Sequence, residues 1–260
     1  MAIAFSGGVD SALLLKAASM ALPSQELLAV TAQGPFFPKR ESLEAGQAAA
    51  DFGLNHLVIE FDATADKEIS ENPTDRCYHC KKKLFSLMME QATKRDFDLI
   101  ADGGNLDDMN DYRPGARAVH ELGVISPLKE AELTKADVRR LSAELGLPTW
   151  NKPAFACLAS RIPYGQTIRL ETLQRVEKAE DYLLGLGFSQ VRVRAHDTLA
   201  RLEVEPEERS RFFDQELLDQ INLRLRELGF AHVALDLAGY RSGSLNIDVA
   251  KEEIRKYSQK

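Results

Sequence analysis

The sequence is poor in tryptophan, in cysteine and in long apolar runs. One Trp and three Cys stand among its 260 residues. Three cysteines, at 77, 80 and 157, cannot build a disulfide framework, so they read as ligands or catalysts rather than staples. No apolar stretch approaches the ~20 residues of a membrane span, and no charged-then-apolar leader precedes the first apolar run. A cytoplasmic protein without a membrane partner is therefore expected. Positive charge is not in excess either: the net charge is −7, which argues against a broad nucleic-acid surface while leaving room for a local basic pocket. Missing too is the phosphate-binding signature GxxxxGK[ST], because no lysine follows the first glycines. What is present is an ordinary hydrophobic fraction, 44%, on a chain long enough for one large domain or two modest ones.

The most informative stretch is Ser6-Gly7-Gly8-Val9-Asp10-Ser11. An apolar run over residues 2–5 precedes it, and a Leu- and Ala-rich segment over 12–22 follows, so the order is strand, glycine turn, helix. The glycines let backbone approach a ligand closely, and the first helical turn offers unpaired N–H groups. Such a terminus favours anions by roughly 0.3–1 kcal/mol per charge. Ser6 and Ser11 add donors, and Asp10 suggests a nearby metal such as Mg²⁺ or a hydrogen-bonded cap. The string resembles the pyrophosphate loop of PP-loop ATP pyrophosphatases, which form adenylates and release pyrophosphate.

Strand patterns at 26–32, 55–61 and 97–102 alternate with helical patterns at 39–53 and 84–94. This βαβ spacing calls for a parallel sheet covered on both faces, a Rossmann-like α/β fold. The strand at 97–102 ends in Gly103-Gly104-Asn105-Leu106-Asp107-Asp108. In an open α/β sheet, ligands sit beyond the carboxyl ends of the strands, so Gly103 and Asn105 should face the same crevice as Ser6 to Ser11. Asp107 and Asp108 offer oxygens to Mg²⁺, although an acidic turn is commonly just solvated. Thr134 reads as an N-cap with Asp137 three residues on. The stretch 150–165 has no period and reads as a functional loop closing a first domain, 1–165.

From residue 166 the style changes. A helix over 170–186 ends in Leu186-Gly187-Phe188 before an alternating strand at 191–194. A strand at 199–204 and a helix over 206–228, ending in Leu228-Gly229-Phe230, precede a strand at 233–237. The repeated phrase predicts a smaller α+β domain over 166–260, closed by a glycine-rich turn at 239–246 and a charged surface helix.

Cys77 and Cys80 are separated by two residues and can reach one centre, with Cys157 as a third ligand. Arg76, Lys81, Lys82 and Lys83 surround the pair with positive charge, which favours thiolates. A closed zinc site wants four ligands and would need His79. A thioredoxin-like pair is a second option. A 4Fe–4S cluster held by three cysteines leaves one iron open, which suits sulfide delivery.

SGGVDS, RCYHCKK, DYRPG, WNKPAFACLASRIPYG, VRVRAH and GYRSGSLN together resemble the LarE family, from Ser6 to Asn246. The resemblance implies an ATP-dependent sulfur transferase of nickel-pincer nucleotide biosynthesis, the cofactor of lactate racemase. Its implied substrate is pyridinium-3,5-biscarboxylic acid mononucleotide, whose carboxylates become thiocarboxylates after adenylation. Ser6, Gly7, Gly8, Asp10, Ser11, Gly103 and Asn105 would bind ATP. One branch of the family sacrifices the sulfur of a single cysteine, which would fall at Ala156 here; the other holds a 4Fe–4S cluster. Cys77, Cys80 and Cys157 place this chain with the cluster branch, and a sulfide donor is then an implied partner. Arg192 and Arg194 share a strand face and suit the substrate phosphate as a pair, with a solvated basic face as the alternative. Arg161, Glu180 and Glu203 are further substrate-binding candidates. The resemblance also implies a trimer-based homohexamer and a helix ahead of the first strand, which leaves open whether the native start lies upstream of Met1.

Three other readings compete. A PP-loop tRNA thiolase would also combine the loop with three cluster cysteines, but predicts a basic RNA-binding face or an added zinc module. An amide-forming synthetase of the NAD or GMP type gives the cysteines no role. A nucleotide-binding regulatory module predicts ATP binding without pyrophosphate release.

Overall fold

The computed structural model describes residues 1–110, 114–153 and 156–241, with the backbone alone at 109 and 110. The sequence motif segments at 111–113, 154–155 and 242–246, and the charged tail after them, lie outside the described residues. The chain forms two compact units, one holding Met1–Ala63 with 75–153 and the other Thr64–Thr74 with 156–241.

In the first unit β1 (Ala2–Ala4), α1 (Val9–Ala21), β2 (Leu28–Gln33), α2 (Lys39–Asp51) and β3 (Asn55–Glu60) follow one another. The chain passes through the short α3 (Lys67–Ser70) of the second unit. It returns as α4 (Arg76–Thr93), β4 (Ile100–Ala101), α5 (Pro114–Glu121), α6 (Pro127–Glu130) and α7 (Lys135–Glu144). The four strands are all parallel, in the order β3-β2-β1-β4, and Ile125 adds a parallel bridge to Ala101. Side chains two apart point to the same face of a strand. Ala2, Leu28, Val30 and Ile100 accordingly pack with Leu84, Phe85 and Met88 of α4. Ile3, Phe5, Ala29 and Ala101 pack on the other face with Leu13 and Leu14 of α1, Ala45 and Ala49 of α2 and Val138 of α7. Both faces of the central strands are thus covered, as a parallel sheet requires. The chain runs from β1 through β2 to β3 on one side and reaches β4 on the other. The switch point therefore lies between β1 and β4, where ligand crevices form in such sheets.

The second unit carries α8 (Leu170–Gly185), β5 (Val191–His196), β6 (Leu199–Val204), α9 (Gln215–Glu227) and β7 (His232–Leu235). Its mixed sheet runs β5-β6-β7, antiparallel then parallel, with α8 against β5 and α9 against β7. The repeated Leu-Gly-Phe phrase has one local structure in both copies. Gly187 (φ +83°) and Gly229 (φ +99°) take left-handed dihedrals that favour glycine. Phe188 N–H then donates to the Leu183 carbonyl (3.4 Å) and Phe230 N–H to the Leu225 carbonyl (3.2 Å), and both rings are buried. The single helix expected over 206–228 is instead two elements: a 3₁₀ stretch, Pro206–Phe213, and α9. Asp214 is the reason. Its carboxylate accepts the N–H groups of Glu216 (2.9 Å) and Leu217 (3.2 Å), an N-cap that needs extended backbone and so interrupts the helix. Asn72 ties down the loop that follows α3. Asn72 (φ +58°) is buried and donates to the Pro163 carbonyl at 2.7 Å, and Gly165 N–H returns a bond to the Asn72 carbonyl at 2.9 Å. Among the described residues no helix is long and apolar enough to cross a membrane.

Candidate active site

Beyond β1 the backbone turns at Gly7 (φ +71°) into α1, whose N-cap is Gly8. No side chain caps that helix, so its first-turn N–H groups keep the anion-binding character of an open terminus. Two hydroxyls knit the turn. Ser11 Oγ lies 3.2 Å from Ser6 Oγ, accepts the Ser6 N–H at 3.3 Å and donates to the Gly8 carbonyl at 3.1 Å. The turn after β4 lies directly against this one, because a Cβ on Gly103 would stand only 2.9 Å from Ser11 N. Asn105, buried beside it, donates Nδ2 to Asp10 Oδ1 at 3.0 Å. Ser6, Gly7, Gly8, Asp10, Ser11, Gly103 and Asn105 thus meet at the switch point of the sheet.

Asp107 and Asp108 have backbone partners. Asp107 Oδ2 accepts the Lys135 N–H at 2.7 Å, and Asp108 Oδ2 accepts the Asn105 N–H at 3.2 Å. They shape the turn and start α7. The N-terminus of α7 is a complete capping box: Thr134 Oγ1 accepts the Asp137 N–H, and Asp137 Oδ2 accepts the Thr134 N–H, each at 3.2 Å. Hydrogen bonds from the Thr134 side chain and backbone hold the Asp137 carboxyl below its ordinary range.

Two lysines reach the loop. Lys135 Nζ pairs with Asp10 Oδ2, and Lys152 Nζ donates to the Gly7 carbonyl (3.1 Å) and to Glu44 Oε2 (2.6 Å). Arg139 steadies the second lysine by donating to the Lys152 carbonyl at 3.0 Å. Sequence reasoning assigned neither lysine to the loop. Their contacts span 125 and 145 residues, and no spacing rule reports such distances.

Cys77 and Cys80 lie at the start of α4, three residues apart and hence neighbours on its surface. The buried Arg76 donates Nη2 to Cys77 Sγ at 3.7 Å. His79 faces Asp75, with Nε2 3.4 Å from Oδ2. Cys157 belongs to the second unit, as the N-cap of a 3₁₀ turn, Leu158–Arg161. All three are half-buried, and none is in a disulfide. Among the described residues, within neither unit do three His, Cys, Asp or Glu side chains gather as a metal cluster. The donor type itself fits iron: three thiols, none spent on a disulfide.

In the second unit Arg161, Glu180, Arg192, Arg194 and Glu203 are all buried. Arg161 grips Glu180 bidentately, Nε to Oε1 and Nη2 to Oε2, each 2.8 Å. Its Nη1 donates to the carbonyls of Ala156 and Cys157, the latter at 3.0 Å, so this guanidinium clamps the turn that carries Cys157. Arg194 grips Glu203 in the same way (3.0 and 2.8 Å) and reaches the Ser160 carbonyl at 2.7 Å. Arg192 lies 5.2 Å from the Tyr240 ring centroid. The face shared by Arg192 and Arg194 is therefore buried rather than solvated. Burial opposes ionisation of Glu180, but the Arg161 charge and hydrogen bonds, the Arg192 charge and the Val193 N–H outweigh it and hold the carboxyl low. Burial and the neighbouring Arg161 charge push Arg192 down to about 10, so it remains a cation at neutral pH.

A glycine turn entering an uncapped helix at the switch point of a parallel sheet, in a chain that also carries a separate small mixed-sheet unit, defines an α/β protein of the PP-loop class. No protein-family model matches the chain. Pyridinium-3,5-bisthiocarboxylic acid mononucleotide synthase of Lactiplantibacillus plantarum is 40% identical over 256 residues, 98% of this chain and 92% of that protein. The uncharacterized protein slr1717 of Synechocystis sp. is 44% identical over 245 residues, 94% of this chain and 91% of its own. The uncharacterized protein MJ0830 of Methanocaldococcus jannaschii is 31% identical over 241 residues, covering 92% and 90%. The chain belongs to the LarE family, and it is an enzyme of that family.

Proposed function

We propose that this enzyme is an ATP-dependent sulfur transferase that converts pyridinium-3,5-biscarboxylic acid mononucleotide into its bisthiocarboxylic acid. The observation that carries the reading is the 40% identity to the L. plantarum synthase over 98% of the chain. The loop geometry supports it. A carboxylate oxygen is a very poor leaving group, so the substrate carboxylate first attacks the α-phosphorus of ATP, and the bond to the β-phosphate oxygen breaks, releasing pyrophosphate. Sulfide then attacks the acyl carbon, AMP departs with the former carboxylate oxygen, and a thiocarboxylate remains. Backbone N–H groups at the start of α1, with the hydroxyls of Ser6 and Ser11, would hold the phosphates, and Gly103 and Asn105 would line the same crevice. Asp10 would face Mg²⁺. Each 1.36 kcal/mol taken from the barrier is tenfold in rate, so holding the adenylate beside the sulfur source matters as much as activation.

Cys77, Cys80 and Cys157 would hold a 4Fe–4S cluster, which supplies a sulfide site at the iron that no cysteine occupies. The clamp of Arg161 on the Cys157 turn would keep the third thiol in place. Arg192, a buried cation, would bind the phosphate of the mononucleotide together with Arg194, while Glu180 and Glu203 orient the arginines. We assign ATP chemistry to residues 1–165 and substrate binding and oligomerisation to 166–260, in a cytoplasmic trimer-based hexamer supplied by a sulfide donor.

The test is anaerobic reconstitution with iron and sulfide, incubation with Mg-ATP, sulfide and the pyridinium mononucleotide, and mass spectrometry of the product. The expected result is replacement of oxygen by sulfur with release of AMP and pyrophosphate. An unchanged substrate mass overturns the reading.

A further inference from the structure

Phosphate loops of the GxxxxGK[ST] type carry their own lysine, and this loop has none. A bound triphosphate still brings several negative charges to the start of α1. The fold places two ammonium groups there from distant segments. Lys135 Nζ pairs with Asp10, in the first turn of α1, and Lys152 Nζ lies 3.1 Å from the Gly7 carbonyl, so the two contact the chain on either side of the N-cap Gly8. Neither stem is loose. The Lys135 backbone sits inside the Thr134–Asp137 capping box and donates its N–H to Asp107, and the Lys152 carbonyl is held by Arg139. The Lys135 side chain keeps 35% exposure, so its head group can exchange a carboxylate partner for a phosphate. The Lys152 head group is shared with Glu44, an exposed carboxylate that is an easily displaced partner.

We propose that Lys135 and Lys152 are nucleotide-binding residues that grip the pyrophosphate portion of ATP. The proposal rests on the reading of the loop as an ATP site. Fixed cations beside the β- and γ-phosphates offset the charge that gathers on pyrophosphate as the bond from the α-phosphorus breaks, which stabilises the leaving group in the transition state. Asp10 and Glu44 hold the ammonium groups in the meantime, so that the ligand meets oriented cations rather than mobile side chains.

The test is isothermal titration of the full chain with pyrophosphate, AMP and a non-hydrolysable α,β-methylene ATP analogue. The proteins are wild type, Lys135→Met, Lys152→Met and Lys135→Arg. A charge-assisted hydrogen bond corresponds to roughly tenfold or more in affinity. Both methionine variants should lose about that factor for pyrophosphate and the ATP analogue, with AMP affinity unchanged, and Lys135→Arg should recover part of the loss. Because Lys152 also props the Gly7 carbonyl, the two Lys135 variants are the decisive ones. Unchanged pyrophosphate affinity in Lys135→Met, or an equal loss for AMP, overturns the proposal. Failure of the wild type to bind the ATP analogue would overturn the ATP reading itself, and this proposal with it.

Discussion

Asn105 donates its side-chain amide to the Asp10 carboxylate across 3.0 Å, although 95 residues separate them in the chain. This bond joins the turn after β4 to the turn after β1 and so closes the crevice at the switch point. It depends on how near the two turns can come, and Gly103 sets that distance.

Replacing Gly103 with alanine should damage the site and the fold together. The added methyl would meet the backbone at Ser11 N, 2.9 Å away, and backbone cannot swing aside as a side chain can. A cost of about 1–3 kcal/mol is expected from such overpacking. Urea melts should show the loss of stability, and titration with the ATP analogue should show weakened binding relative to wild type. A variant with wild-type values in both would contradict the close approach.

Removal of the Glu180 charge isolates a buried cation. Glu180→Gln leaves Arg161 without its bidentate partner in a fully buried position. Breaking one side of a buried pair costs about 3–5 kcal/mol, because the remaining charge keeps its desolvation penalty. Chemical denaturation would register the drop as a lower midpoint at unchanged slope.

The same carboxylate gives stability a pH dependence. Its folded-state pKa is held below the ordinary glutamate value despite the opposing effect of burial. The unfolded chain therefore takes up the proton first as pH falls. Stability is full above the usual glutamate range, near ~4.3, and is lost as pH falls through the lower folded-state value. Asp137, held low by Thr134, adds a contribution of the same sign. Melting temperatures recorded from neutral to acid pH should fall in that window for the wild type and fall less steeply for Glu180→Gln.

Thr134→Ala removes half of a capping box and should cost about 1 kcal/mol. Urea denaturation would measure it. Since Lys135 is the next residue, its grip on Asp10 should loosen as well, and titration with pyrophosphate should then show a modest loss of affinity.

Serine at Cys77, Cys80 or Cys157 should lower the iron bound after anaerobic reconstitution, as read by iron assay and the visible absorbance of the cluster. Spent wild-type enzyme should retain all its protein sulfur. A dehydroalanine mass at Cys157 after turnover would point to the sacrificial branch of the family instead.

Much of the first unit was legible from local pattern. Residues 2–5 feeding two glycines and a Leu-rich segment specify strand, turn and helix within a dozen positions, and Thr134 with Asp137 specifies a cap within four. The break at Asp214 was not legible, because the apolar period continues through 206–228 and a single carboxylate decides whether it caps a new helix or decorates an old one. Period-two spacing placed Arg192 and Arg194 on one strand face, but spacing is silent on what covers that face. In the structure Glu203 reaches Arg194 from the neighbouring strand, and Glu180 of α8 holds Arg161. The roles of Lys135 and Lys152 were equally hidden, since each lies more than a hundred residues from its contact on the loop.

From the sequence alone came the parallel α/β class, the glycine turn into a helix at Ser6 to Ser11, the three thiols and the family likeness. Turn dihedrals, helix caps and strand alternation depend on residues a few positions apart, and a sequence states those directly. Only the tertiary structure decided that Gly103 and Asn105 touch α1, that Lys135 and Lys152 bring charge to a loop without its own lysine, and that Arg161 and Arg194 are buried in ion pairs. Those outcomes depend on where distant segments meet once the apolar faces have packed, and electrostatic partners are then chosen by proximity in space rather than along the chain.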